Sequence, residues 1–170
     1  MAASTPPAPN PFLDRTHDHA ACVDDALDRA AELCQRRGAR LTALRRHVLE
    51  LVWRGHAPVG AYAILAELQD GQPRAAPPTV YRALDFLMEQ GLVHRIESLN
   101  AYVGCPRPER PHASQFLICE GCGSAGELDD PAITDAVERR AGRLGFTVAQ
   151  QTIELRGLCQ RCRRGGLDAR

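Results

Sequence analysis

Two Cys-x-x-Cys motifs constrain the fold of this chain more than any other feature. They are formed by Cys119 with Cys122 and by Cys159 with Cys162, and 36 residues separate them. Each motif can give two thiolates to one ion, and four thiolates suit tetrahedral Zn²⁺. Because the spacer exceeds the usual zinc-ribbon spacing of about 15–20 residues, we expect a strand–helix–strand body between the motifs, tied at both ends by the metal. Buried free thiols or a redox pair are the alternative, but a thioredoxin-type site needs only one such motif.

The segment around these cysteines has the pattern of a small second domain. Hydrophobic patterning predicts a strand at 115–119, a helix at 131–144 and a strand at 146–155. A unit of about 55 residues is near the smallest size at which an apolar core alone supports folding, so it needs a metal or a partner subunit. The stretch CPRPERP at 105–111 precedes this unit and predicts an extended linker.

The N-terminal half combines helical periodicity with a final pair of short strands. The pattern predicts helices at 16–37, from the cap Thr42 to Gly55, at 61–69, and at 80–90 after the cap Thr79. Strands are predicted at 92–98 and 101–104, joined by a two-residue loop. This order is typical of a winged helix-turn-helix, in which the second helix of the pair offers its first residues to the DNA major groove.

Four side chains near the starts of the third and fourth helices are candidates for DNA contact. Tyr81 and Arg82 lie off the apolar stripe of the fourth helix, where Arg can pair with guanine and an aromatic ring can meet a thymine methyl. Tyr62 begins the preceding helix and could contact phosphate or a base edge. With Thr79 they form the predicted DNA-binding set, although each also has the ordinary alternative of a solvated surface residue.

The zero net charge does not exclude a nucleic-acid partner. The chain has 21 Arg, no Lys and 21 acidic residues, whereas a phosphate-binding surface is normally basic. The charges are unevenly distributed: residues 36–54 carry six Arg against one Glu, and residues 10–32 carry six acidic residues against two Arg. A basic face is therefore compatible with a neutral chain, and we expect weak non-specific DNA affinity.

A second, more dispersed group of potential metal ligands surrounds the linker. It consists of His94, Cys105, His112 and Glu127. Each alone has an ordinary alternative as a solvated or buried side chain, but together two imidazoles, a thiolate and a carboxylate suit tetrahedral Zn²⁺. One lies in the wing, two flank the linker and one lies in the second domain. An ion held by all four would fix the domains relative to each other.

Other sequence signals limit the class of protein. Residues 1–11 carry four of the twelve prolines and no charge, which predicts a disordered tail over 1–15. With no secretory-signal pattern and no apolar run of about 20 residues, we expect a cytoplasmic protein without a membrane partner. No Gly-rich phosphate loop, Gly-x-Ser-x-Gly elbow or His-Glu-x-x-His motif is present, so no catalytic residue and no small organic substrate is indicated.

Three motifs resemble those of the ferric uptake regulator superfamily, and most closely those of its zinc uptake regulator branch. They are PPTVYRALDFL at 77–87, EQGLVH at 89–94 and FLICEGCG at 116–123. The resemblance extends over about residues 25–162. The iron-sensing branch carries a His-rich run before its first Cys-x-x-Cys, whereas this chain has only His112 there, which favours zinc.

The resemblance implies an α+β, homodimeric, metal-dependent repressor that binds a palindromic operator in double-stranded DNA. We accordingly expect a winged-helix DNA-binding domain at 16–104, a hinge at 105–112, and a small α/β dimerisation and metal-binding domain at 113–165. In the family pattern the four cysteines of the Cys-x-x-Cys motifs match a structural zinc site. The dispersed group matches a regulatory zinc site, which gives two zinc ions per subunit and repression of zinc-uptake genes when zinc is plentiful.

Three other functions remain open from the sequence. One is an iron-sensing or peroxide-sensing regulator of the same superfamily. Another is a zinc enzyme, which requires an open coordination position for water, although the dispersed group would fill all four positions. The third is a zinc-buffering or protein-interaction module, for which neither the wing nor Arg82 has an evident use.

Overall fold

The computed structural model describes residues 12, 19–55, 57–71, 75–110 and 112–165, which form helices and two small sheets. The helices are α1 (His19–Arg36), α2 (Ala43–Trp53), α3 (Ala61–Gly71), α4 (Pro77–Glu89), α5 (Pro131–Gly142) and α6 (Gln160–Arg164). The strands are β1 (Val59–Gly60), β2 (Val93–Ile96), β3 (Ala101–Gly104), β4 (Ser114–Cys119), β5 (Ala125–Glu127) and β6 (Thr152–Gly157). The predicted α+β class is confirmed. Among the described residues, no helix has the length and apolar character needed to cross a membrane.

The first four helices pack around one apolar core. Amphipathic spacing turns one stripe of each helix inward, and these stripes meet in the core. Its fully buried members include Ala30, Val48, Ile64, Leu68, Val80, Leu84 and Leu87. The predicted cap of α2 is present, because Thr42 Oγ1 accepts a hydrogen bond from the Arg45 amide at 3.4 Å. The sheet β1-β3-β2 lies against these helices, and its antiparallel strands β2 and β3 form the wing.

Two local predictions in this half are wrong. Helix α4 begins at Pro77, with Ala76 as its cap residue, so Thr79 lies inside the first turn and its amide donates to the Ala76 carbonyl at 2.9 Å. The preset φ of proline favours the first helical position, where a missing amide proton costs nothing. The wing strands are joined by a single 3-10 turn (Glu97–Leu99) followed by left-handed Asn100, at φ 46°, and not by a two-residue loop.

The C-terminal sheet has the order β5-β4-β6, with β4 and β6 parallel. The prediction missed β5, because three residues are too few to show an alternating pattern. The last strand was predicted from 146 but begins at Thr152. The amide of Phe146 donates to the Ala141 carbonyl at 3.0 Å, in the turn that ends α5, so residue 146 belongs to the helix end. Gln115 is buried and donates to Thr134 Oγ1 at 3.0 Å, which ties β4 to α5.

The wing packs directly on the C-terminal sheet. Ile96 of β2 forms a buried cluster with Phe116 and Ile118 of β4. Because β2 alternates its side chains, His94 lies on the same face two residues earlier. The seam between the two halves of the chain therefore combines an apolar cluster with a candidate metal ligand.

The predicted tail at 1–15 lies outside the described residues except at Phe12. This ring is half-buried against the cluster of Cys119, Cys159 and Cys162. At this one position the prediction of a disordered residue is wrong, since an aromatic side chain gains stability by covering apolar surface.

Candidate metal centres and nucleic-acid interface

The four cysteines of the two Cys-x-x-Cys motifs converge on one point. Cys119 ends β4, Cys122 follows in a tight turn, and Cys159 and Cys162 lie at and within the start of α6. Their sulfur atoms all lie within 4.8 Å of one another. Parallel pairing of β4 with β6 brings the ends of the two strands together, as the long spacer requires. A Cβ atom at Gly121 would lie 3.0 Å from Cys162 Sγ, so glycine allows the close approach of the two motifs.

Hydrogen bonds prepare this cluster for thiolate chemistry. The Cys159 amide donates to Cys119 Sγ at 3.2 Å. Burial raises the pKa of Cys122, but hydrogen bonds from the side chain and backbone of Ser124 outweigh it, and the net pKa is about 6. Four converging sulfur ligands fit a structural Zn²⁺, which binds thiolates.

The dispersed ligand group also comes together, between the wing and the C-terminal sheet. His94 comes from β2, Cys105 and His112 from the two ends of the linker, and Glu127 from β5. One ligand atom from each lies within 4.8 Å of all the others. Glu127 Oε1 lies 2.5 Å from His112 Nε2 and 3.4 Å from His94 Nε2. Three segments of the chain therefore meet at this single point.

The imidazole hydrogen bonds leave the ring nitrogens nearest the centre free to bind a metal. His112 Nδ1 lies 2.9 Å from the Arg110 carbonyl, which only accepts, so Nδ1 donates there and Nε2 is the ring nitrogen that faces the centre. His94 Nδ1 contacts Ser114 Oγ at 3.3 Å. Contacts of this kind at the ring nitrogen away from the centre orient metal-binding histidines. His94 Nε2 and Glu127 Oε2 are buried without a hydrogen-bond partner among the described residues.

Without a cation, burial disfavours the charged form of three of the four groups. Burial and the neighbouring His112 lower the pKa of His94 to about 4, and burial with Glu127 nearby raises the pKa of Cys105 to about 12. Burial also raises the pKa of Glu127. A divalent cation would reverse this balance by favouring thiolate and carboxylate. The donor types, the convergence and the orphaned atoms fit a bound Zn²⁺.

The linker that carries Cys105 is held from both sides, and the sequence analysis missed these contacts. Arg29 of α1 donates to the Pro106 carbonyl at 3.2 Å, and Arg37 donates to the Pro108 carbonyl at 3.1 Å. On the C-terminal side, Asp129 pairs with Arg107 at 3.0 Å and with Arg110 at 2.6 Å. The signal in the sequence was the pair of Arg107 and Arg110 inside the proline-rich stretch, together with Asp129, an acidic residue two positions after Glu127.

The residue before Cys105 is also fixed by close packing. A Cβ atom at Gly104 would lie 2.1 Å from the Trp53 ring, so glycine lets α2 approach the end of β3. The Cys105 amide donates to the Leu92 carbonyl at 2.9 Å. The backbone of this candidate ligand is therefore positioned by the N-terminal core.

Three of the four predicted DNA-contact residues are exposed. Tyr62 is 72% exposed, Tyr81 is 38% exposed, and Arg82 is exposed beside it, while Thr79 is half-buried. The stripe of α4 that includes Val80, Leu84 and Leu87 faces the core. Tyr81 and Arg82 thus lie on the outward side of α4, where a DNA groove could be met.

Sequence similarity to known proteins identifies the family of this chain. The sequence pattern of the ferric uptake regulator family matches residues 36–156. The chain belongs to the ferric uptake regulator family. It is 41% identical over 141 residues to the zinc uptake regulation protein of Escherichia coli (strain K12), covering 82% of each chain.

Solved structures of family members also resemble this one. A zinc uptake regulator complexed with zinc and DNA has a TM-score of 0.80 and 40% identity, and the match covers 84% of this chain and 96% of that one. The crystal structure of holo XcZur has a TM-score of 0.77 and 44% identity, with coverage of 83% and 99%. The arrangement of both halves of this family member therefore follows that of these two relatives.

Several Arg residues in the basic stretch at 36–54 of this family member contact other residues of the same chain. Arg54 pairs with Glu67 at 2.6 Å, Arg46 lies 3.8 Å from Asp28, and Arg37 donates to the Gln90 carbonyl at 2.6 Å. Arg45 stacks on the Phe86 ring, 3.5 Å from its centroid, and so ties α2 to α4. Several Arg residues of this stretch therefore hold the helices together.

Arg82→Ala should weaken specific DNA binding by about 1–3 kcal/mol and relax base preference at one position of each half-site. The physical reason is the loss of a two-pronged donor from an exposed helix face. The measurement is a binding isotherm on a specific duplex and on a scrambled one. Arg164→Ala, at the exposed end of α6, is the matched control. Equal affinity of Arg82→Ala and the parent protein for the specific duplex would remove Arg82 from the contact set.

Proposed function

We propose that this protein is a zinc-responsive, DNA-binding transcriptional repressor of zinc-uptake genes. The observation that carries the proposal is the convergence of His94, Cys105, His112 and Glu127 from the wing, the linker and the C-terminal sheet. A metal at this point has ligands in both halves of the chain. Its binding is therefore coupled to their relative position, which sets where the recognition helix lies.

We assign two Zn²⁺ ions to each subunit. A structural ion is held by the four cysteines of the Cys-x-x-Cys motifs and stabilises the small C-terminal domain. A regulatory ion is held by the four hinge ligands, and it supplies the positive charge that makes the thiolate and carboxylate favourable together. The name of the Escherichia coli relative and the related structure complexed with zinc and DNA support zinc as the metal. The four hinge ligands leave no position for a reactive water, which argues against an enzyme.

Metal control follows from a difference in affinity between two arrangements of the chain. When the wing and the C-terminal sheet are apart, the hinge ligands are separated, and only the closed arrangement presents all four. A ligand that prefers one arrangement shifts the population towards it. DNA that binds the same arrangement must tighten zinc binding by the same factor, about 1–3 kcal/mol in typical cases of coupling.

A homodimer supplies the second recognition helix. The C-terminal domain exposes large apolar side chains, among them Leu144 at 86%, Phe146 at 64% and Leu155 at 49%. None of the residues of α5 is buried. Such a surface suits a second copy of the chain, and a two-fold axis would place two α4 helices on the half-sites of a palindromic operator. The DNA partner implies action in the cytoplasm.

The test is a DNA-binding titration with zinc and competing metals. A duplex selected from a randomised pool by the zinc-loaded protein serves as the probe, and the zinc content per subunit is measured in parallel. We expect binding to follow occupancy of a second zinc ion per subunit. Activation by Fe²⁺ or Mn²⁺ with no response to Zn²⁺ would favour an iron or peroxide sensor instead, and DNA binding independent of any metal would contradict the proposal.

A further inference from the structure

A second contact besides the hinge ligands joins the wing to the C-terminal sheet. The carboxylate of Glu154, on β6, accepts hydrogen bonds from two backbone amides of the 3-10 turn that joins the wing strands. Its Oε1 lies 2.6 Å from the Glu97 amide, and its Oε2 lies 3.1 Å from the Ser98 amide. The residues concerned are 56 and 57 positions apart in the sequence. We call this contact the wing clasp.

The wing turn has amides that need such an acceptor. The first amides of any helical turn lack a partner within the helix. The cap residue here is Ile96, which has no side-chain acceptor to offer. A carboxylate that takes two amide protons makes charge-assisted hydrogen bonds, about twice as strong as neutral ones. Partial burial raises the pKa of Glu154, but its hydrogen bonds with Ser98 and Glu97 outweigh this and lower the pKa below its ordinary value.

The clasp lies at one end of a continuous seam. Glu154 is paired with Phe116 in the β4–β6 ladder, and Phe116 packs on Ile96 of the wing. Paired residues of neighbouring strands point to the same face of a sheet. His94 lies on the same face of β2 as Ile96, and its ring centroid lies 5.6 Å from that of Phe116. The clasp, the apolar cluster and the hinge ligands therefore follow one another in space along one side of the wing.

We propose that Glu154 is a positioning residue of the metal response, which holds the wing on the C-terminal sheet and assembles the hinge ligands before zinc binds. This inference rests on the proposed function, because the response it tunes is zinc-dependent DNA binding. A contact that stabilises the closed arrangement without metal lowers the zinc concentration needed to populate it. The clasp therefore sets the sensitivity of the protein to zinc, while the hinge ligands set its choice of metal.

The first test measures the clasp directly, without hinge zinc. Amide hydrogen exchange of Glu97 and Ser98 is followed in the full-length Cys105→Ser protein with Glu154 intact and with Glu154→Gln added. We expect roughly five- to tenfold faster exchange at these two amides in the double variant, since Gln keeps one weaker acceptor and no charge. Equal exchange rates would overturn the clasp as a metal-independent contact.

The second test measures its effect on zinc sensitivity. In Glu154→Gln we expect the zinc concentration for half-maximal duplex binding to rise roughly five- to tenfold, with the plateau at saturating zinc retained. Glu154→Asp keeps the charge but is one methylene shorter, so it should also raise the midpoint. Glu32→Gln removes one charge from the exposed side of α1 and should leave the midpoint unchanged.

The outcomes separate the clasp from the proposed function. If the parent protein responds to zinc and both Glu154 variants keep its midpoint, the clasp is overturned and the proposed function stands. If the parent and Glu32→Gln bind DNA without regard to zinc, the proposed function fails, and the exchange measurement alone decides the clasp. Loss of the cysteine-bound zinc in Glu154→Gln would indicate a folding role for Glu154 and overturn the positioning role.

Discussion

Cys105→Ser should remove the zinc dependence of DNA binding and leave one zinc ion per subunit. Cys105 is the only sulfur ligand of the hinge group, and its backbone is fixed by the Leu92 carbonyl and the Trp53 ring. Loss of an outer-shell partner already costs about 10–100-fold in metal affinity, so we expect loss of a direct ligand to exceed about 100-fold. At zinc concentrations that saturate the parent protein, the variant should remain in the weak-binding form.

The measurement combines a zinc-titrated binding isotherm with metal analysis of the dialysed protein. His112→Ala should behave in the same way, because its Nε2 faces the same centre. Cys22→Ser is the matched control: this thiol lies on α1 and belongs to neither ligand group. An unaltered zinc midpoint in Cys105→Ser would show that the regulatory site lies elsewhere. Loss of both zinc ions would show that the two sites are not independent.

Cys162→Ser should release the structural zinc and unfold the C-terminal domain. This domain has a small apolar core. Helix α5 has no buried residue, and three of the buried side chains of the domain belong to Cys119, Cys159 and Cys162. Structural zinc sites bind with apparent free energies of about 10–16 kcal/mol at neutral pH in zinc-finger peptides, and that energy is folding energy. Three remaining thiolates cannot close a tetrahedral site.

We expect Cys162→Ser to lose the C-terminal strand signal in circular dichroism, to fail to form dimers in sedimentation, and to carry no zinc. The N-terminal helices should persist, since their core is built from α1 to α4. The Cys22→Ser control should keep two zinc ions per subunit. A Cys162→Ser protein that remained dimeric with its full zinc content would contradict a structural role for this cluster.

Local patterns in the sequence predicted the elements well where a single element carries the signal. The cap at Thr42 and the apolar stripe of α4 follow from helical spacing and side-chain chemistry. The prediction failed at Thr79 and at the start of β6. There the outcome depended on competition between neighbours: prolines that could begin the helix earlier, and a Phe146 amide already engaged by the end of α5.

The candidate ligands were named from their chemistry and from the resemblance to a known family, but their convergence could not be read from spacing. His94 and Glu127 meet because Ile96 packs on Phe116 and Ile118, which docks the wing on the C-terminal sheet. The contacts that hold the linker, such as Arg37 with the Pro108 carbonyl, also join residues far apart in the chain.

The sequence alone determined which chemistry this protein carries: two cysteine motifs, a dispersed set of zinc-type donors, and an exposed helix face suited to DNA. These features depend on residue type and short spacing, which the chain encodes directly. The tertiary structure alone decided how they are coupled, through strand register and the docking of the wing. The clasp from Glu154 to Glu97 and Ser98 exists only when β4 and β6 pair in parallel and the wing turn reaches their edge. No local pattern specifies such a contact, because its stability depends on distant residues meeting at once.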